Sequence, residues 1–218
     1  MYSIDFKIII DWIPQLLSGC FLTIWVSFLT FIFGSIIGII VGTLRTSKIA
    51  KLLNYICVFY VEIFRGTPLL IQLFFIYFGL GQLGLKLEPI QAGLITFSLN
   101  TGAYVSEIVR SSISSIDKGQ YEAAISVGMT HIQALRYVIL PQALKISIPP
   151  LVNTVSAILK DSSLISVIAV VDLTRVGQQI YTTTFRPFEV FATIGFLYLV
   201  MNCIIAYFSR FLEKKVIL

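Results

Sequence analysis

Between Asp11 and Arg45 the chain runs through residues 12–44 without one charged side chain. About 20 predominantly apolar residues in helical form cross the hydrocarbon core of a bilayer, so this stretch ties the fold to a membrane. The pattern recurs. Residues 66–85, 89–106 and 190–209 also lack Asp, Glu, Lys and Arg, and 146–171 holds only Lys160 and Asp161. Charged residues make up 12% of the chain and hydrophobic ones 57%, whereas soluble domains carry roughly a quarter charged residues. A soluble domain is excluded on that ground.

The first apolar stretch is too long for a signal peptide and follows Asp5 and Asp11 rather than a basic region, so it reads as a retained helix. Five spans are expected, at about 19–44, 52–80, 88–110, 146–170 and 190–211, making one all-α transmembrane domain over residues 1–218. An odd number of spans puts the termini on opposite sides. Short cytoplasmic loops collect Lys and Arg. One side has Arg45, Lys48, Lys51, Arg110, Lys118, Arg136, Lys145, Arg210, Lys214 and Lys215; the other has Lys7, Lys86, Arg175 and Arg186. This asymmetry predicts an outward N-terminus, with the 111–145 loop and the C-terminus in the cytoplasm. It also accounts for the net charge of +5 without a nucleic-acid partner. Cys20, Cys57 and Cys203 lie in apolar stretches with no common spacing, so they read as helix-packing residues rather than a disulfide or metal site.

The connection 117–141 is too long and too helix-prone to be a slack linker. Glu122, Ala123 and Ala124 suit a short helix, Gly128 permits a sharp turn, and residues 130–139 read as a second short helix ending before Pro141. Two short helices meeting at a glycine make a compact knob. By itself such a knob is a simple cap over the bundle. Its sequence, however, is Glu122-Ala-Ala-x-x-x-Gly128, nine residues, then Val138-x-Leu140-Pro141. This resembles the EAA loop of the membrane permeases of ATP-binding-cassette (ABC) importers, departing by Val138 where Ile is usual. Three more segments resemble the polar amino acid branch of that family: Glu62–Gln72, Ala103–Arg110, and Leu159–Leu164 leading to Val171–Arg175.

The resemblance implies a type I importer fold in a prokaryotic cell membrane and uptake of a polar or charged amino acid by alternating access. It implies four kinds of partner: a cytoplasmic ABC ATPase dimer, a second permease copy or close homologue, an extracytoplasmic amino-acid-binding protein, and membrane lipid. It implies coupling through Tyr121, Glu122, Ala123, Ala124, Gly128, Met129 and His131. The competing class is an ion-coupled secondary transporter or channel, in which the knob only caps the bundle.

Charge at bilayer depth costs about 2.5–3.5 kcal/mol per residue on insertion scales, so such groups face a bundle interior or a cavity. Lys160 lies about 14 residues into its expected span, roughly 21 Å at 1.5 Å per residue. Neighbours on a helix point about 100° apart, so Lys160 and Asp161 do not pair along one face. They suit the two charges of an amino acid, or pair with protein groups such as Glu62, Arg65 or a neighbouring subunit. In the second expected span, Arg65-Gly66-Thr67-Pro68 predicts a break, with Thr67 capping a helix that begins at Pro68 and Arg65 free to pair with Glu62 one turn back. Helix ends at such a break can hold charged parts of a substrate. Asn100 and Thr101 supply uncharged polar groups in the third span, and the resemblance places Asn100 beside the translocation path. The candidate substrate residues are Asn100, Lys160, Asp161, Arg65, Thr67 and Gln72. Glu107 and Arg110, one turn apart, read as a boundary ion pair. The dipeptide Gly-Lys, which ends an ATP-binding phosphate loop, occurs nowhere. ATP hydrolysis is therefore expected on a partner chain, and no cofactor or metal on this one.

Overall fold

The computed structural model describes residues 4–46 and 51–217, with side chains for 4–46 and 52–208. Lys48, which entered the orientation argument, lies outside the described residues.

Helix α1 (Ile13–Thr46), led in by a 3-10 turn at Phe6–Trp12, shows which solvent the fold is built for. Apart from Leu16 and Val26, its buried residues are small or weakly polar: Gly19, Thr23, Ser27, Thr30, Gly34, Gly38 and Gly42. Phe21, Ile24, Trp25, Phe28, Phe33 and Ile36 are exposed. A helix in water does the reverse. In lipid, large apolar side chains face outward, and helices associate through small residues that let backbones approach. A Cβ added at Gly34 would lie 2.6 Å from the Thr101 side chain, and one at Gly38 would lie 2.4 Å from Val105. Thr101 and Val105 belong to α4 (Pro89–Ser114), so the glycine spacing of four makes one seam between α1 and α4.

Between these two helices in sequence come α2 (Lys51–Gly66) and α3 (Leu69–Gln82), bent by 108° relative to each other. The break expected within the span 52–80 is present, and it falls where Pro68 stands. The remaining elements are α5 (Lys118–Ser126), α6 (His131–Ile168), α7 (Leu173–Thr184) and α8 (Pro187–Ile217). No strand occurs among the described residues.

Among the described residues, three helices are long and apolar enough to cross a membrane: α1 with its leading turn, α6, and α8 up to Phe208. The bent pair α2–α3 makes a fourth if it crosses as one span. Helix α4 has the length, with 26 residues, but Gln91, Asn100, Glu107 and Arg110 lower its apolarity.

Two expectations about α6 need correction. The helix starting at His131 does not end before Pro141; it passes through a π turn at Leu135–Ile139 and continues as α-helix to Asp161. The wider turn, in which Leu140 N–H bonds Leu135 O, makes room for a proline ring that an ordinary helix would push against the carbonyl four residues back. Nor do residues 146–170 form one uniform helix. A 3-10 stretch, Ser162–Ile168, follows Asp161 and stops at Ala169 in the left-handed region (φ 65°). Lys160 and Asp161 thus stand at the end of an α-helical segment rather than within one.

Two apolar clusters organise the core. One brings together Leu16, Leu159, Leu173, Ile180 and Ile194; the other Val26, Leu73, Ile76, Phe97 and Ile165. Helix α1 and α6 contribute to both, and the cavity described below opens beside their contact with α4.

Candidate translocation cavity and coupling knob

Ending α2 at Gly66 leaves its last carbonyls without intrahelical partners. Pro68 is extended (φ −62°, ψ 135°), so α3 starts only at Leu69. The freed carbonyls are taken by three of the candidate residues. Thr67 Oγ1 donates to Ile63 O at 2.8 Å. The Gln72 amide nitrogen donates to Phe64 O at 2.9 Å and lies within 3.0 Å of Thr67 O and Thr67 Oγ1. Asn100 Nδ2, arriving from α4, donates to Phe64 O at 2.9 Å and to Gln72 Oε1 at 3.1 Å. The expectation that Thr67 caps a helix beginning at Pro68 is corrected: Thr67 turns back to the end of α2. It does so because proline fixes its own φ and keeps the residue before it out of the helical region.

Beside this braced break lies a cavity of about 370 Å³ with Thr67, Asn100, Thr101, Tyr104, Thr154 and Asp161 in its wall. Small-molecule sites span roughly 300–1,000 Å³. Asp161 is the one charged side chain among the lining residues. Lys160 is exposed and absent from that wall, as the rotation between neighbouring helix positions requires. Gln72 is buried behind the wall at 8% exposure and serves the break rather than the space. Arg65 lies over the Tyr104 ring, 5.4 Å from its centroid. Of the six candidates, then, three line the cavity, one braces it, one packs on its wall and one points elsewhere.

Arg65 does not pair with Glu62 among the described residues. Its guanidinium instead lies 3.8 Å from Glu107. Glu107 takes the expected bond from Arg110, whose Nε is 3.1 Å from both carboxylate oxygens and whose Nη2 also bonds Oε1. Arg45 Nη1 of α1 joins it at 2.8 Å. One carboxylate therefore gathers α1, α2 and α4. The Arg45 contact spans 62 positions of sequence, and no local pattern signals it.

The knob is as compact as its sequence implies. Asp117 caps α5 by accepting from Gly119 N at 2.7 Å. At the other end Gly128 N bonds Ile125 O and Met129 N bonds Ala124 O, the paired bonds of a Schellman stop, with Gly128 at φ +84°. Thr130 then starts α6 with a capping box, exchanging bonds with Gln133 at 2.8 and 3.3 Å. Ala124 and Ala134 are buried between the two helices, while Glu122, Ala123, Gly128 and His131 are exposed and Tyr121 and Met129 half-buried. The Tyr121 hydroxyl hydrogen-bonds His131 Nδ1, and their rings stack at 5.5 Å. Helix termination and restart occur within four residues.

Sequence reasoning passed over Asp172, which is 1% exposed and caps α7 by accepting from Arg175 N at 2.9 Å and Thr174 N at 3.2 Å. An Asp just ahead of Leu173-Thr-Arg is a helix-start signal carried by the chain itself. It also passed over Tyr104 and Thr30. The three cysteines form no disulfide with one another.

A braced helix break beside a cavity with polar side chains in its wall, in a bundle of apolar helices long enough to cross a membrane, fits a membrane transport subunit. The chain belongs to the family described as binding-protein-dependent transport system inner membrane component, which matches residues 34–218. Within that family it is an amino-acid ABC importer permease, with the ATPase on a separate subunit. It is 37% identical over 213 residues to the glutamine transport system permease protein GlnP of Escherichia coli (strain K12), covering 97% of each chain. It is 40% identical over 203 residues to the L-cystine transport system permease protein TcyB of Bacillus subtilis (strain 168), covering 93% of this chain and 86% of that one. A crystal structure of an amino acid ABC transporter with histidines superposes with a TM-score of 0.94 at 38% identity, covering 98% of this chain and 100% of that one.

Proposed function

We propose that this permease carries its amino acid through the cavity beside the α2–α3 break, with Asp161, Asn100 and Thr67 as contacts, and that residues 118–139 receive the ATPase. The observation that carries the reading is Asp161: a single carboxylate in the wall of a cavity of about 370 Å³. It favours a substrate group that is positively charged. Relatives bear the names of glutamine, arginine and cystine permeases, each an amino acid with an ammonium group.

The same reading takes the bent pair as one crossing and α4 as another, giving five spans in one domain over 1–218 with the N-terminus outside. The Lys and Arg asymmetry supports that orientation. Two permeases, alike or closely homologous, would enclose one path; two ATPases would close on ATP and move α5; an external binding protein would deliver the substrate. Release requires that Asp161 and Asn100 hold the substrate differently in the outward and inward states, since a ligand with equal affinity for both shifts nothing. Uptake of each of the twenty amino acids into vesicles holding the full complex tests this. Saturable, ATP-dependent uptake that Asp161→Asn weakens at least tenfold is expected. Wild-type uptake in that variant would refute the cavity assignment.

A further inference from the structure

Thr30 lies on the buried face of α1 with no exposed surface. Several other hydroxyls on this helix are satisfied close by, although Ser35 Oγ, which lies outside the cavity wall, is likewise unpaired among the described residues. Ser27 donates to Thr23 O at 2.7 Å, Thr43 donates to Ile39 O at 2.7 Å, and Thr23 accepts from Leu173 N at 3.2 Å. Thr30 Oγ1 has no hydrogen-bond partner among the described residues. Buried polar atoms are overwhelmingly paired, and of the unpaired ones among the described residues, Thr30 Oγ1, Ser35 Oγ, Arg45 Nε and Ser98 Oγ, Thr30 alone lies in a recess that also holds a carboxylate.

The Thr30 side chain lines a recess of about 10 Å³ whose wall also includes Asn100, Asp161, Phe97 and Ile158. Asn100, Asp161 and Ile158 also line the larger cavity, so the recess is its side pocket. Its size suits one water-sized group. The chemistry of the wall is one-sided. Asp161 offers carboxylate oxygens. The Asn100 nitrogen is committed to Phe64 O and Gln72 Oε1, and since a backbone carbonyl only accepts, the amide oxygen is the end left over. Thr30 adds the lone pairs of an oxygen that bonds nothing else. Three acceptors around a water-sized space call for a compact group with several donors and a positive charge. A primary ammonium has three N–H donors and that size.

We propose that this recess seats the α-ammonium group of the transported amino acid, with Thr30 as a substrate-binding residue from α1. The inference rests on the reading of the Asp161 cavity as the substrate path. The carboxylate and side chain of the substrate then extend into the larger space, where lining groups other than Thr30 sort one amino acid from another.

The test uses vesicles holding the complete importer and the radiolabelled L-amino acid that they take up best. Thr30→Val keeps the shape and removes the hydroxyl. It is expected to raise KM about tenfold, the worth of one hydrogen bond to a charged group. Thr30→Ser is expected to restore the wild-type KM. In the wild type, an analogue lacking the amino group is expected to compete at least tenfold less well than the parent, a difference that Thr30→Val narrows. An unchanged KM in Thr30→Val, with Asp161→Asn impaired, overturns the role of Thr30 and leaves the cavity reading standing. Unchanged KM in both variants overturns the two together. If Thr30→Val acts only by abolishing a dependence on sodium seen against choline, a free cation occupies the recess and the proposal is wrong. Should Thr30→Val fail to assemble, equal competition by the deaminated analogue in the wild type still refutes it.

Discussion

The knob and the cavity differ in how far apart their parts lie in sequence. The caps and stops that shape the knob fall between Asp117 and Gln133: a cap, a left-handed glycine stop and a capping-box restart. The cavity draws Thr67 from the break, Asn100 from α4 and Asp161 from the end of the α-helical part of α6. A knob of local bonds keeps its shape without help from the bundle, whereas the cavity depends on how three elements sit relative to one another. If the knob receives the ATPase as proposed, it is a rigid handle at one end of the molecule and the cavity a deformable site at the other.

Substitutions can separate the two ends, and the largest effect is expected at the joint of the handle. Gly128→Val places a β-branched residue at φ +84°, at a cost of about 1–3 kcal/mol. ATP-driven uptake should fall more than tenfold while the assembled permease still binds amino acid, as equilibrium binding to the purified complex would show. Loss of both together would mean that the knob is not separable from the cavity. At the other end, Asp161→Asn should raise the KM for uptake at least tenfold and leave the ATPase bound, as co-purification would report. Asn100→Ala and Gln72→Ala remove donors from Phe64 O and should each cost about 1–3 kcal/mol, read as a lowered Tm in detergent. Tyr121→Phe, which removes only the bond to His131 on an exposed surface, should cost about 1 kcal/mol or less and barely alter uptake.

The same contrast governs what can be read from the order of residues alone. Gly128, Asp117 and Pro68 announce stops, starts and breaks because each acts on its own backbone, and the knob and the α2–α3 break are legible from them. Pro141 misleads because a proline normally ends a helix, and only the π turn at 135–139 shows how this one passes. Arg45 and Glu107 cannot be matched from the chain, since nothing local distinguishes Arg45 from other basic residues at a helix end. Thr30 is one hydroxyl among several on α1, and what sets it apart from Ser35, which is also unpaired among the described residues, is the recess it shares with Asn100 and Asp161. Lys160 and Asp161 are equally conspicuous in the sequence, yet the helix turn sends only Asp161 to the cavity wall.

The central claim is that knob and cavity are two ends of one machine with separable failures. The most direct measurement is the number of ATP molecules hydrolysed per amino acid imported, in vesicles holding the full complex. Asp161→Asn should raise that ratio severalfold, because the knob still couples while the site loses its grip. Gly128→Val should lower hydrolysis and import together and leave the ratio near its wild-type value. A wild-type ratio with full import in Asp161→Asn would contradict the account.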